Sequence, residues 1–436
     1  MTSNSIIFFS NYYTTRLAYV AELVFQDLLG LTIVFTQNTE GYLKSPLPKI
    51  NYSQTPLSNS EIFIQNQSVL FETDIIKQAI DIDFKQLLQQ SPLDFDVLAV
   101  IFILITRYEE YVVDPLLLDT HQRFPAKNSI ASKFGFLQKP IVNQWVMQIN
   151  QSLKMKFPEL QTRLPAYFFQ PTFDIDMPWK YKNKGFLRTI GGFIKDFVKG
   201  EFDEIKSRVG VLRGSKLDPY FTFENIFDIH KKETIRPLFF LLLGNLTEFD
   251  KNPNVHNKPF QKFIRLVADQ YEVGLHPSYR SNSSLSILKT EKKRFEQLTG
   301  QPLLKSRQHF LKLSFPETYQ NLLDLGVKHE YSMGYADNIG FRASIATPFR
   351  WFDLTKNEAT DLWIHSFQVM EVTLNDYLCY TSEEALKQVA ILIEETKAVG
   401  GTFMTLWHNS SLIHTEGWQN WQGVYEKILA LAIEKK

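Results

Sequence analysis

Two aspartates one residue apart, Asp174 and Asp176, close YFFQPTFDID, an apolar run that reads as a buried strand. Carboxylates in such a place cost free energy unless a metal, a basic partner or a reaction takes them up. Side chains two apart on a strand share a face, so both acids face one side and Ile175 the other. One acid of the pair can ligate a metal while its neighbour, kept free, accepts a proton from the water that the metal activates. The plainer reading has strand-end acids capping a helix or accepting loop N–H groups. His276 in EVGLHPSYRS and His408 in LWHNSS also end apolar runs. Neutral imidazole ligates metals, and a histidine at a strand end can protonate a leaving group. SRQHF offers His309 and Arg307, whose guanidinium can hold a carboxylate by two parallel bonds. Trp407 either packs on a sugar face or fills the core.

Seven short apolar segments would position these residues: 167–176, 236–244, 271–276, 303–310, 327–333, 362–370 and 401–408. Helical patterns fall between them at 258–270, 286–298, 316–325 and 383–399. The alternation predicts an α/β domain with a mostly parallel sheet. In a β/α barrel the active site lies at the carboxyl ends of the strands, where these acids and histidines collect. The first half reads differently. A helix capped by Thr14 or Thr15 ends at Gly30, a strand follows over 31–36, and helices are predicted over 94–113 and 140–155. The polar, proline-marked stretch 157–165 is the expected boundary between a smaller α/β domain over 1–160 and the second domain over 169–436.

Lys+Arg and Asp+Glu both number 47, so no overall field draws the chain to nucleic acid. The single cysteine, Cys379, excludes an intramolecular disulfide and a cysteine-based metal cluster. The opening residues lack the basic and apolar regions of a secretory signal, and Val97–Ile105 is too short to span a bilayer. The expected location is the cytoplasm.

In order along the chain, TFDID, GLHPSYRS, RQHF, GFRASIATPFRWFDL and LWHN resemble the polysaccharide deacetylases, the NodB-homology group of carbohydrate esterase family 4, over about residues 169–436. The first 160 residues, with RYEEY and HQRFPA, resemble an uncharacterised domain that precedes some of these deacetylases. The resemblance implies a distorted β/α barrel of about seven strands that removes N- or O-acetyl groups from carbohydrate with a divalent metal, usually zinc. It implies Asp174 as catalytic base, Asp176 as metal ligand, His276 as the first histidine of His-x-x-x-His, Arg307 as the arginine orienting the base and His408 as general acid. Arg342 and Asp353 fall in a region that usually shapes the substrate groove, and Tyr279, Arg280 and Trp407 are expected on the substrate side. One departure stands out: the family's second histidine falls at Arg280, and arginine does not coordinate zinc. A catalytic zinc takes three protein ligands. His309, where the family usually has proline, is the candidate replacement; without it metal binding is weak or absent and Arg280 supplies the positive charge.

Residues 180–216 carry ten Lys/Arg against four Asp/Glu, with apolar residues from Phe186 to Val198 at helical spacing. Such a helix either docks on the sheet with a solvated basic face or lies on an anionic membrane, peripherally at its inner face. The expected partner is an acetylated carbohydrate. Two rival functions fit the same residues: a metal-dependent glycosyltransferase using Asp-x-Asp, and a barrel that has lost catalysis and only binds glycan, which Arg280 favours.

Overall fold

Residues 4–413 and 417–433 are described by a computed structural model. Its first half holds β1 (Ser5–Ser10), β2 (Thr32–Thr36), β3 (Lys49–Ser53) and β4 (Glu61–Gln65), all parallel in the order β2-β1-β3-β4. The Thr14 hydroxyl accepts the Leu17 N–H to start the helix Thr15–Ala21, which runs on as a π-helical turn over Glu22–Asp27. The helix Val97–Ile105 is buried on every side, as its unbroken apolar run requires. The single helix expected over 94–113 is broken. Arg107 adopts a left-handed backbone (φ 55°), and its guanidinium is locked by Glu109 and Glu110 (both 2.7 Å).

The second sheet contains β5 (Phe168–Ile175), β6 (Leu238–Leu242), β7 (Glu272–His276), β8 (Lys305–Ser306), β9 (His329–Glu330), β10 (Phe349–Asp353), β11 (Glu358–Ile364), β12 (Val369–Met370) and β13 (Thr402–His408). Their order is β10-β11-β9-β8-β7-β6-β5-β13-β12, with β10–β11 antiparallel and every other pair parallel. The strand count and the closure differ from expectation. The expected strand over 362–370 divides into β11 and β12, FRWFD adds β10, and among the described residues no ladder joins β12 to β10 or β11. Among the described residues the hydrogen bonding is therefore that of an open sheet of nine strands.

Central β6, LFFLL, is buried along its whole length, as a strand covered on both faces must be. Pro171 lies within β5, opposite Thr405 of β13, but β6 begins to pair only at Thr172. The proline therefore sits where β5 has one neighbour and its missing N–H breaks no ladder on the other side. Helices Phe223–Glu233, Lys258–Gln270, Leu285–Thr299, Glu317–Asp324 and Ser382–Ala398 connect the strands, and Trp421–Ala432 follows β13. Asn257 caps the second of these, and Thr381 with Glu384 forms a capping box on the fifth.

The two halves share one buried core. Tyr19 and Phe102 pack on Phe352 (ring centroids 5.0 and 5.1 Å), and Glu110 pairs with Arg342. Among the described residues no helix is long and apolar enough to cross a membrane.

Candidate metal centre

Four parallel strands deliver the site at their carboxyl ends. Asp174 and Asp176 close β5, His276 ends β7, Arg307 and His309 follow β8, and His408 ends β13. Ile175 enters the core between them, as the alternation demands. Ligand atoms of Asp176, His276 and His309 lie within 4.8 Å of one another.

Burial drives the His276 pKa down, outweighing the opposing pull of Asp174 and Asp176, which favours the neutral ring. Its Nδ1 lies 2.6 Å from the Arg307 carbonyl and donates there, so Nε2 is left as an acceptor. That Nε2 faces Asp174 Oδ2 at 3.5 Å and Asp176 Oδ1 at 3.4 Å. Asp176 Oδ1 is itself buried without a hydrogen-bond partner. Acceptors facing one another in a buried site need a cation, so these side chains fit a divalent metal.

His309 completes the set. Its Nδ1 donates to Asp250 Oδ1 at 2.9 Å, which turns Nε2 to Asp176 Oδ2 at 3.5 Å. Burial alone would lower the His309 pKa, but Asp176 and Asp250 raise it to about 9. Burial likewise works to raise Asp176, yet His309 and His408 hold it well below the usual carboxylate range. The loop carrying His309 is strained: Phe310 (φ 60°) and Leu311 (φ 54°) are left-handed.

On one side of this triad Arg307 donates to Asp174 Oδ1 (3.0 Å), to Thr172 Oγ1 (2.7 Å) and to the Tyr331 carbonyl (2.9 Å). Its guanidinium lies over Phe240, 4.4 Å from the ring centroid. Gly274 makes room for that ring, since a Cβ there would come within 2.6 Å of it. On the other side His408 donates from Nδ1 to Glu371 Oε1 (2.7 Å), an oxygen that also accepts from Ser411 Oγ (2.6 Å). His408 Nε2 stands 3.8 Å from Asp176 Oδ2. Burial lowers its pKa, but Glu371 and the two aspartates raise it to about 10.

All six residues expected for metal binding and catalysis thus come together. Of the five assigned to substrate, Tyr279 stays beside them. Its N–H donates to Asp250, and its ring stacks on Phe249 (4.1 Å) near His121 and Phe310. Arg280, next in the chain, is exposed beside the turn Ser281–Ser283. The other three are corrected. Arg342 is buried and held by Glu110 in the first half of the chain (3.0 and 2.5 Å). Asp353 is buried and caps the β10–β11 turn, accepting from Thr355 and Gln320. Trp407 is fully buried against Tyr425 (4.8 Å) because His408 takes the site-facing position. Sequence reasoning missed Asp250 and Glu371, the carboxylates behind His309 and His408.

Comparison with known proteins adds the following. The model of a family of unknown function, DUF7033, matches residues 6–158. No curated protein matches the chain. Among solved structures, a Mycobacterium smegmatis protein assigned to the polysaccharide deacetylases is similar at 12% identity over 61% of this chain and 83% of that one, with TM-score 0.40. A CE4 family pseudoenzyme from Bacillus anthracis is 11% identical over 61% and 65%, with TM-score 0.29. A polysaccharide deacetylase from Bacillus cereus is 10% identical over 60% and 87%, with TM-score 0.28. Likeness this distant carries nothing about activity.

Proposed function

We propose that this site hydrolyses an acetyl group from a carbohydrate, with a divalent cation, zinc by ligand type, held by Asp176, His276 and His309. The observation that supports it best is the placement of a carboxylate and a charged imidazole on two sides of one metal-ligand cluster. When bound, the cation supplies Lewis-acid polarisation of the acyl carbonyl. Arg307 fixes Asp174 by one oxygen and leaves the other for the attacking water's proton. As the water oxygen bonds to the acyl carbon and the C–N or C–O bond breaks, His408 gives its Nε2 proton to the departing nitrogen or oxygen. Glu371, bonded to Nδ1, keeps the ring protonated until transfer and holds its orientation afterwards.

The sugar and acyl specificity rests on the resemblance of the strand-end motifs to polysaccharide deacetylases. The seat of His309 beside Asp176 supports it as third ligand in place of a histidine at Arg280, whose absence favours a catalytically silent glycan binder. The test is acetate release from N-acetylated amino-sugar oligomers, with metal content measured before and after chelation. Activity should vanish with the metal and return when zinc is restored. Failure to take up any divalent cation at micromolar excess would return the balance to glycan binding.

A further inference from the structure

The basic segment 180–216 folds largely as two helices, Phe186–Val198 and Phe202–Leu212. The first is amphipathic, but its orientation is the reverse of a helix docked by its apolar face. Its polar side meets the protein. Asp196 is buried and paired with Arg208 (2.7 Å), and Arg188 donates to the carbonyls of Lys251 and Asn252 (2.9 and 3.0 Å). Gly192 lies against the Arg208 guanidinium, which a Cβ would approach to 2.5 Å. The apolar side meets solvent: Phe186, Leu187, Ile190, Ile194, Phe197 and Val198 are between 39% and 83% exposed. Phe202 extends the stripe, its ring edge-on to Phe197. The docking expected of such a helix, apolar stripe against the protein, is therefore reversed. A contiguous apolar stripe on a folded surface marks an interaction site.

Charge decides the partner. Lys195, Lys199, Lys206, Arg213 and Lys216 are exposed around the two helices. Behind the first helix a cavity of about 540 Å³ is lined by Lys180, Lys184, Arg188 and Arg208 among others. Burial, with Arg188 and Arg208 adding to it, lowers the Lys184 pKa to about 8. Met177, which follows Asp176, lines the same cavity, so the cationic surface borders the candidate metal centre. A second copy of the chain would bring a net of +6 against the same +6 in a two-fold contact.

We infer that the exposed face of Phe186–Val198, with Phe202, docks on an anionic lipid bilayer and lies in its plane. Its 13 residues are too few to cross one. Apolar side chains enter the acyl boundary, and the flanking lysines and arginines meet lipid phosphates. The inference stands apart from the hydrolytic reading and concerns where the site works, facing a bilayer surface.

The test uses the purified full chain co-sedimented with vesicles of phosphatidylcholine alone or mixed with phosphatidylglycerol. The protein should pellet with the mixed vesicles, and less so as sodium chloride rises. Leu187→Ser with Val198→Ser should weaken binding by at least about tenfold, and Lys195→Glu with Lys199→Glu should also weaken it and flatten its salt dependence. All four positions are exposed, so unchanged circular dichroism should accompany both variants. Asp174→Asn should bind vesicles like the parent, which separates docking from catalysis. Equal binding to both vesicle types, no binding to either, unchanged binding by the Leu187/Val198 variant, or a parent dimer that this variant dissociates, would each overturn the inference.

Discussion

Asp250 holds His309 by Nδ1, and that single bond decides which ring nitrogen faces Asp176. A carboxylate behind a ligating histidine fixes its tautomer and raises its basicity. Asp250→Asn should therefore cost about 10- to 100-fold in zinc affinity while leaving the fold intact. Titration with a competing chelator reads this directly; an unchanged affinity removes His309 from the ligand set. At this scale much was legible. Asp174, Asp176, His276 and His408 each end an apolar run, and a residue's place at a strand end survives changes elsewhere in the fold. Asp250 and Glu371 sit in connecting segments where no periodicity marks them. For Trp407 the sequence left sugar contact and core filling open, and period-two alternation with His408 turns it to the core.

The loop Arg307–Leu311 is the element on which the site depends most. It carries the arginine that holds Asp174 and the histidine that completes the triad, and it contains two left-handed non-glycine residues. Each costs on the order of 1–3 kcal/mol and persists only when its surroundings hold it. Part of that hold comes from the first half of the chain. Arg123 donates to the Phe310 carbonyl and to Tyr377 Oη (both 3.1 Å), and Asp119 steadies Arg123 (2.6 Å). Arg123→Ala should weaken zinc binding and raise KM, with Arg123→Lys restoring part of both. If metal affinity and KM are unaltered, the segment 119–128 does not position this loop. None of this was visible in the sequence, where 303–310 reads as one extended strand. In the structure the strand stops after Ser306 because the chain must turn to bring His309 over Asp176.

At the scale of the whole molecule, the two halves are joined by buried charge. Glu110 is shared by Arg107 (2.7 Å) and Arg342 (2.5 Å), and Arg342 also donates to the Gly334 carbonyl. Removing one of its two cations leaves Glu110 Oε2 without its partner away from water, at a cost on the order of 1–3 kcal/mol. Arg342→Ala should lower the melting temperature of both halves together, while the KM of the folded fraction at low temperature stays the same. A raised KM with unchanged stability would return Arg342 to the substrate groove. The general plan, an α/β chain in two parts with a mostly parallel second sheet, follows from alternating strand and helix patterns. The contact between the parts does not, because Glu110 and Arg342 lie 232 positions apart and no local pattern links them.

The central claim is that the two aspartates of TFDID do different work, one holding the metal and the other taking the proton. Measuring metal content and acetate release together on Asp174→Asn and Asp176→Asn tests it most directly. Asp176→Asn should lose metal and activity together. Asp174→Asn should keep its metal and lose turnover by about 10²–10⁴-fold. Acetate release at the parent rate by metal-loaded Asp174→Asn would contradict the account.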